Sequence, residues 1–148
     1  MAQTTNAYTM KDAKVEVSSN GTTYTDISGF ANEVTVSGGE RMSGEVYTVD
    51  GDTALVGIGK RQPVDIAVSV VYTEGTGDPF ETLRAAYEAG STYYVRWSPR
   101  GGQTGEFQFT ASGPVTAFEY PDGEAGSGDP ITVSFTVRAA GITKSTVA

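Results

Sequence analysis

A strict two-residue alternation near the C-terminal end restricts the fold of this chain more than any other feature. Segment 131–138 places isoleucine, valine, phenylalanine and valine at its odd positions and threonine, serine, threonine and arginine at its even positions. Side chains alternate between the faces of a strand but recur every 3.6 residues in a helix. The pattern therefore predicts a strand with one face in the core, and Pro130 stands at its start, where a proline is tolerated.

A second alternating segment covers residues 64–74, with apolar even positions from Val64 to Tyr72. Shorter apolar alternations occur around 15–17, 34–36, 93–97, 107–109 and 115–120. Glycine makes up 19 of 148 residues, nearly twice the usual share of about 7%. Short strands joined by tight turns follow from this composition, so the sequence predicts a mainly β, sandwich-like or barrel-like domain.

One short α-helix is predicted after residue 77. Asp78 suits the N-cap, Pro79 suits the first helical position, and Glu81 completes an acidic version of the capping box. Gly90 suits the C-terminal end. Apolar residues at 80, 83 and 87 form a stripe that we expect to pack on one sheet.

Two segments lie outside the compact pattern. Residues 1–13 are polar and without periodicity, which indicates an N-terminal arm before a single β domain at 14–148. Within that domain, segment 37–62 holds two apolar runs around Asp50-Gly51-Asp52 and predicts a long projecting β-hairpin. Exposed hairpin edges and apolar side chains are usually covered by a neighbouring subunit. The candidate inter-subunit residues are Tyr8, Met10, Arg41, Met42, Val46, Tyr47, Val49, Leu55, Val56 and Ile58.

The composition excludes most common catalytic chemistry. The chain has no histidine and no cysteine, which rules out Ser-His-Asp triads, histidine or thiolate metal sites and disulfides. A carboxylate pair stays open as a hydrolytic site, but none of the 18 acidic residues lies in a recognisable catalytic context. We therefore expect no enzymatic activity, no catalytic residue, no bound metal and no cofactor.

Three weaker motifs favour structural interpretations. Asp50-Gly51-Asp52 and the acidic residues at 122–129 lack the ligand order of an EF-hand, so turn chemistry is favoured over calcium binding. Residues 57–60 lack the spacing of a phosphate-binding P-loop. The aromatic run 93–97 fits a sugar-binding or base-binding platform less well than core packing.

The net charge of −8 argues against a conventional nucleic-acid binder, because an acidic surface repels phosphate. It is compatible with a surface past which DNA slides. The longest apolar run is too short to cross a bilayer, and the N-terminus lacks the features of a secretory signal, so we expect no membrane partner.

The order of these parts resembles the tail tube proteins, or major tail proteins, of long-tailed, non-contractile phages. The hairpin at 37–62, the strand from Val64, the helix at 78–89 and the strand at 131–138 carry this resemblance, which covers most of the chain. It implies a structural virion protein whose hexameric rings stack into a hollow tube with a DNA-conducting lumen. It also implies one large barrel built from strands of all subunits, with the helix outside it.

The resemblance further implies partners and a location. The partners would be other copies of the chain, tail tip and terminator proteins, and double-stranded DNA that passes through without specific binding. The location would be the phage tail after assembly in the host cytoplasm. On this hypothesis the polar strand faces line the lumen. The candidate lumen-facing residues are Asp65, Ser69, Thr73, Thr132, Ser134 and Thr136.

Two other functions stay open at this point. A capsid decoration protein or a carbohydrate-binding β-sandwich would explain the aromatic strand, but not a projecting hairpin together with a polar arm. A small hydrolase with two carboxylates has no positive support in the sequence.

Overall fold

The computed structural model describes residues 1–148 and confirms a mainly β domain with one α-helix. A short 3-10 turn at Met10–Asp12 precedes the strands. The elements are, in chain order, β1 (Lys14–Ser18), β2 (Thr25–Asp26), β3 (Ala31–Gly38), β4 (Arg41–Val46), β5 (Leu55–Arg61), β6 (Val64–Val71), α1 (Pro79–Ala89), β7 (Thr92–Ser98), β8 (Phe107–Phe118), β9 (Thr132–Ala139) and β10 (Thr143–Thr146).

All strand pairs are antiparallel, and every strand except β4 and β5 belongs to one of two layers that share β8. The first layer contains β2, β1, β7, β10 and residues 107–114 of β8. The second layer contains residues 115–118 of β8, then β9, β6 and β3. Because one strand passes from the first layer into the second, the fold is a sandwich whose layers are joined along one side.

The core lies between the layers and follows the predicted alternation. Strands β6 and β9 bury every second residue, so the apolar positions of 64–70 and 133–139 face inward. Phe135 and Ile66 are among the largest fully buried side chains, and Val95 and Trp97 reach them from the first layer's side of the core cluster. The strand predicted at 131–138 is therefore confirmed, with its ends one residue later.

Gly113 lies where β8 leaves the first layer. A Cβ placed there would overlap the carbonyl oxygen of Arg138 and lie 2.8 Å from its carbonyl carbon. The backbones of β8 and β9 therefore approach too closely for any side chain at this position. The sequence pattern predicted two separate strands at 107–109 and 115–120, whereas the structure has one strand of 12 residues.

Helix α1 begins at Pro79 and ends at Ala89, and Gly90 follows as its cap with a φ of 66°, the left-handed conformation typical of glycine there. The side-chain hydrogen bonds of the predicted capping box do not form. The Asp78 carboxylate accepts a hydrogen bond from the Gly75 N–H instead of capping the helix, and Glu81 forms an ion pair with Arg84.

The buried face of α1 also differs from the predicted stripe. Leu83 and Ala86 are buried, whereas Tyr87 stays 37% exposed. Phe80 packs edge-on against Tyr72, with ring centroids 4.9 Å apart. Phe80 and Tyr87 also pack against Phe118, with ring centroids 5.4 and 6.0 Å away, and these aromatic contacts hold the helix against the end of β8.

The Tyr120 hydroxyl adds a polar contact by donating a hydrogen bond to the Glu88 carboxylate at 3.1 Å. That hydrogen bond raises the pKa of Tyr120, because the neighbouring Glu88 carboxylate favours the protonated phenol. No helix in the structure is both long enough and apolar enough to span a bilayer.

Replacing Gly113 with alanine should lower the free energy of unfolding by about 2–3 kcal/mol, because the new Cβ overlaps backbone that cannot move aside. Urea denaturation followed by Trp97 fluorescence measures this. The matched control is Gly141→Ala, where no atom lies within 4 Å of the added Cβ and a change below about 0.5 kcal/mol is expected. Equal midpoints for the two variants would contradict the prediction.

Candidate assembly surfaces

Strands β4 and β5 form a hairpin that pairs with no other strand. It leaves the second layer where Gly38 pairs with Val64, and the Gly39 N–H donates a hydrogen bond to the carbonyl oxygen of Pro63 at 3.0 Å. Every residue of both strands is exposed. The structure shortens the strands expected here, since residues 47–54 form a loop that contains Tyr47 and Val49.

On one face of the hairpin, two facing glycines lie next to two facing apolar side chains. Gly44 lies opposite Gly57, and Val46 lies opposite Leu55 on the same face. A Cβ at either glycine would meet no atom within 4 Å, so the space above the two glycines is unoccupied. The other face carries Val56 and Ile58 beside the polar side chains that pair with them.

Seven apolar side chains of segment 42–58 are each at least 57% exposed. They are Met42, Val46, Tyr47, Val49, Leu55, Val56 and Ile58. Monomeric proteins rarely expose so many large apolar groups in one place, which marks this hairpin as a surface for a partner.

The N-terminal arm is exposed from residue 1 to residue 12. Tyr8 is 63% exposed, and its ring lies 4.4 Å from the Arg100 guanidinium carbon, a cation–π contact with the first layer. Met10 is 47% exposed and begins the 3-10 turn. Both side chains therefore lie on the surface near the start of β1.

Strand β3 is an open edge of the second layer. Seven of its eight residues pair with β6 on one side, and none pairs with a strand on the other. Unpaired backbone N–H and C=O groups along such an edge can pair with a strand from another chain. The sequence indicated only Val34 and Val36 here, so the length of this edge was missed.

The outer face of the second layer gathers five of the six predicted lumen residues. Across β6 and β9, Ser69 lies opposite Ser134, and Asp65 lies opposite Arg138. Thr132 and Thr136 share this face, which points away from the core. Thr73 comes after the end of β6, and its hydroxyl oxygen is buried without a hydrogen-bond partner.

This outer face is less acidic than the net charge suggests. The Asp65 carboxylate lies 3.7 Å from the Arg138 guanidinium, which balances its charge. Glu33, opposite Ser69 on β3, accepts a hydrogen bond from the Thr35 hydroxyl at 2.9 Å. Beside this ion pair and Glu33, the face carries the hydroxyl side chains of Ser69, Thr132, Ser134 and Thr136 and the apolar side chains of Ala67 and Val71.

The aromatic strand does not form an accessible platform. Tyr93 and Trp97 are each 7% exposed, and Trp97 stacks on Phe109 with a centroid distance of 5.8 Å. Core packing, the favoured interpretation, is confirmed. No group of three acidic side chains has the geometry of a metal site.

Solved structures with the same layout come from tail and injection assemblies. A chain from the tail of an empty GTA particle, refined with C6 symmetry, matches with a TM-score of 0.65 and 15% identity over 96% of this chain and 100% of that one. A chain from the sheath–tube complex of the extracellular contractile injection system PVC matches with a TM-score of 0.67 and 16% identity over 97% and 94%. This chain has their fold.

A third match is a chain of the SPP1 tail tube, with a TM-score of 0.61 and 18% identity over 95% of this chain and 80% of that one. The likeness extends to a contractile system, so the predicted restriction to non-contractile phages stays a prediction. No family model matches the sequence, and a comparison with curated proteins finds no match.

Deleting residues 42–58 should leave the domain folded, because the hairpin contributes no buried side chain. We expect the free energy of unfolding to change by less than about 1 kcal/mol, since shortening a surface connection alters closure entropy only slightly. Urea denaturation and circular dichroism measure this. Loss of the cooperative transition would mean that the hairpin supports the core.

Proposed function

We propose that this chain is the repeating subunit of a phage tail tube, in which hexameric rings stack around a DNA-conducting lumen. The observation that carries the proposal is the second layer, which combines an open edge at β3 with an uncovered polar face. The exposed apolar hairpin at one end of that layer supplies a separate contact surface. The fold shared with chains of tubular tails supports the assignment.

Ring closure follows from pairing the open edge of β3 with the second layer of the next copy. The layer has four strands, so six copies would contribute 24 strands to one barrel. At a strand spacing of about 4.8 Å and a tilt of about 40°, such a barrel is about 50 Å across. Barrels of about 16–18 strands already enclose an aqueous channel. The C6 symmetry of the GTA tail supports a sixfold ring.

In this arrangement the outer polar face lines the lumen. The lining residues are Asp65, Ser69, Thr132, Ser134 and Thr136, with Thr73 at the end of the strand. A lining of hydroxyl groups and one balanced ion pair offers DNA few cations to bind, so the duplex passes without being held.

The arm at 1–13 and the hairpin at 37–62 would contact neighbouring subunits, while the rest of 14–148 forms the tube wall. The proposed partners are other copies, tail tip and terminator proteins, and passing double-stranded DNA, with no membrane partner. Matches to chains of a tube-terminating cap and a baseplate support partners at the tube ends. Assembly in the host cytoplasm and a final location in the virion complete the proposal, which includes no catalytic role.

A capsid decoration or carbohydrate-binding module is the second candidate. No specific observation favours it, because the aromatic side chains that would bind sugar lie in the core.

The purified chain at high concentration should form tubes or stacked rings in negative-stain electron micrographs. The 42–58 deletion should remain monomeric, because it lacks the exposed apolar surface. The matched control is Ser69→Ala, a change on the lumen face that should polymerise like the natural sequence. Monomers at every concentration, including in the presence of preformed tube seeds, would contradict the proposal.

The lumen assignment can be tested with a single thiol, because the chain has no cysteine. Ser134→Cys should react with a small maleimide in tubes but be shielded there from a large polyethylene-glycol maleimide. The same variant carrying the 42–58 deletion should react with both reagents. Equal reaction of tubes and monomers with the large reagent would place this face on the outside. Failure of the small reagent in tubes would place it in a subunit contact.

A further inference from the structure

Cations without an ion-pair partner concentrate at one place on the molecule. Of ten lysines and arginines, six have a carboxylate oxygen within 4.0 Å. Three of the remaining four, Arg41, Lys60 and Arg61, lie where the hairpin joins the second layer, and we call them the root cations. Arg41 lies directly opposite Arg61 across the two strands.

Two like charges in direct cross-strand register destabilise a hairpin that stands alone. All three root cations are exposed, so solvent reduces this repulsion without removing it. Glu40 and Glu45 lie on the same hairpin, yet neither forms an ion pair with a root cation. The root cations are therefore available to bind an acidic surface of another molecule.

The complementary surface is the connection between β8 and β9. Segment 119–131 carries four carboxylates and no cation, and we call it the acidic loop. Its acidic residues are Glu119, Asp122, Glu124 and Asp129, all exposed and none in an ion pair.

The root cations and the acidic loop lie at opposite ends of the same strands. At the hairpin end of the second layer Gly38 pairs with Val64, and at the other end Val71 pairs with Thr132, which follows the acidic loop. The eight residues of β6 separate these ends by about 25 Å. The same molecule thus presents the three root cations at one end of these strands and the four carboxylates of the acidic loop at the other.

We propose that the root cations of one copy bind the acidic loop of the next copy, so that adjacent rings are held together head to tail. This inference rests on the proposed tube function. A head-to-tail contact repeats without closing, and therefore builds an open polymer. It also sets polarity, because two acidic loops facing each other would repel.

Charge reversal at each end separates this contact from other causes of assembly. Arg41→Glu, Lys60→Glu and Arg61→Glu together make both ends acidic, and Asp122→Lys, Glu124→Lys and Asp129→Lys together make both ends basic. Each set of three changes should raise the protein concentration needed for tubes about tenfold. The chain carrying all six changes keeps the net charge of −8 and reverses the sign of the charge at each end, so it should polymerise at a concentration near that of the natural sequence.

A single-site comparison provides a matched control. Lys144 is the fourth cation without an ion-pair partner, and it lies on β10 in the first layer. Lys60→Glu should weaken tube formation and increase its sensitivity to salt, whereas Lys144→Glu should do neither. Circular dichroism melting confirms that each variant is folded.

The outcomes distinguish the contact from the tube function itself. If the natural chain forms tubes and the reversed variants form them equally well, the end-to-end contact is wrong and the tube function stands. If the natural chain never forms tubes, both are wrong. If the reversed variants keep assembly but lose binding to double-stranded DNA, the root cations bind nucleic acid and the proposed contact is overturned. Recovery of assembly only in the variant with all six changes supports the contact.

Discussion

The passage of β8 from one layer to the other is the constraint on which the rest of the structure depends. Only a glycine at 113 lets its backbone approach Arg138 so closely. Because of this crossing, the first layer covers one face of the second layer and leaves the other face free. The polar outer face is uncovered for this reason, and β3 ends the second layer on its far side as an open edge.

The same strands therefore perform two tasks with alternate side chains. In β6 and β9 one set of residues forms the core, and the other set forms an outer face that includes four hydroxyl side chains and the Asp65–Arg138 ion pair. The hairpin of β4 and β5 takes no part in that core, although it holds the largest group of exposed apolar side chains. Folding and assembly thus depend on different parts of the chain, so a change at the hairpin can affect one without the other.

The charge distribution adds direction to the proposed assembly. A net charge of −8 alone suggests copies that repel one another. The structure instead separates the root cations from the acidic loop along the strands, and it balances Asp65 with Arg138 on the face between them. Opposite ends of opposite charge favour stacking in one orientation, and the outer face stays nearly neutral.

Much of the fold could be predicted from local sequence pattern. Alternation in 64–70 and 132–139 determined two strands and the face of each that enters the core, because a strand repeats every two residues in any context. Tertiary structure alone decided that β8 is continuous through Gly113, that α1 buries Ala86 rather than Tyr87, and that Arg41 lies opposite Arg61. Those three facts depend on which distant segments lie side by side, and that choice follows from packing between segments that local periodicity does not encode.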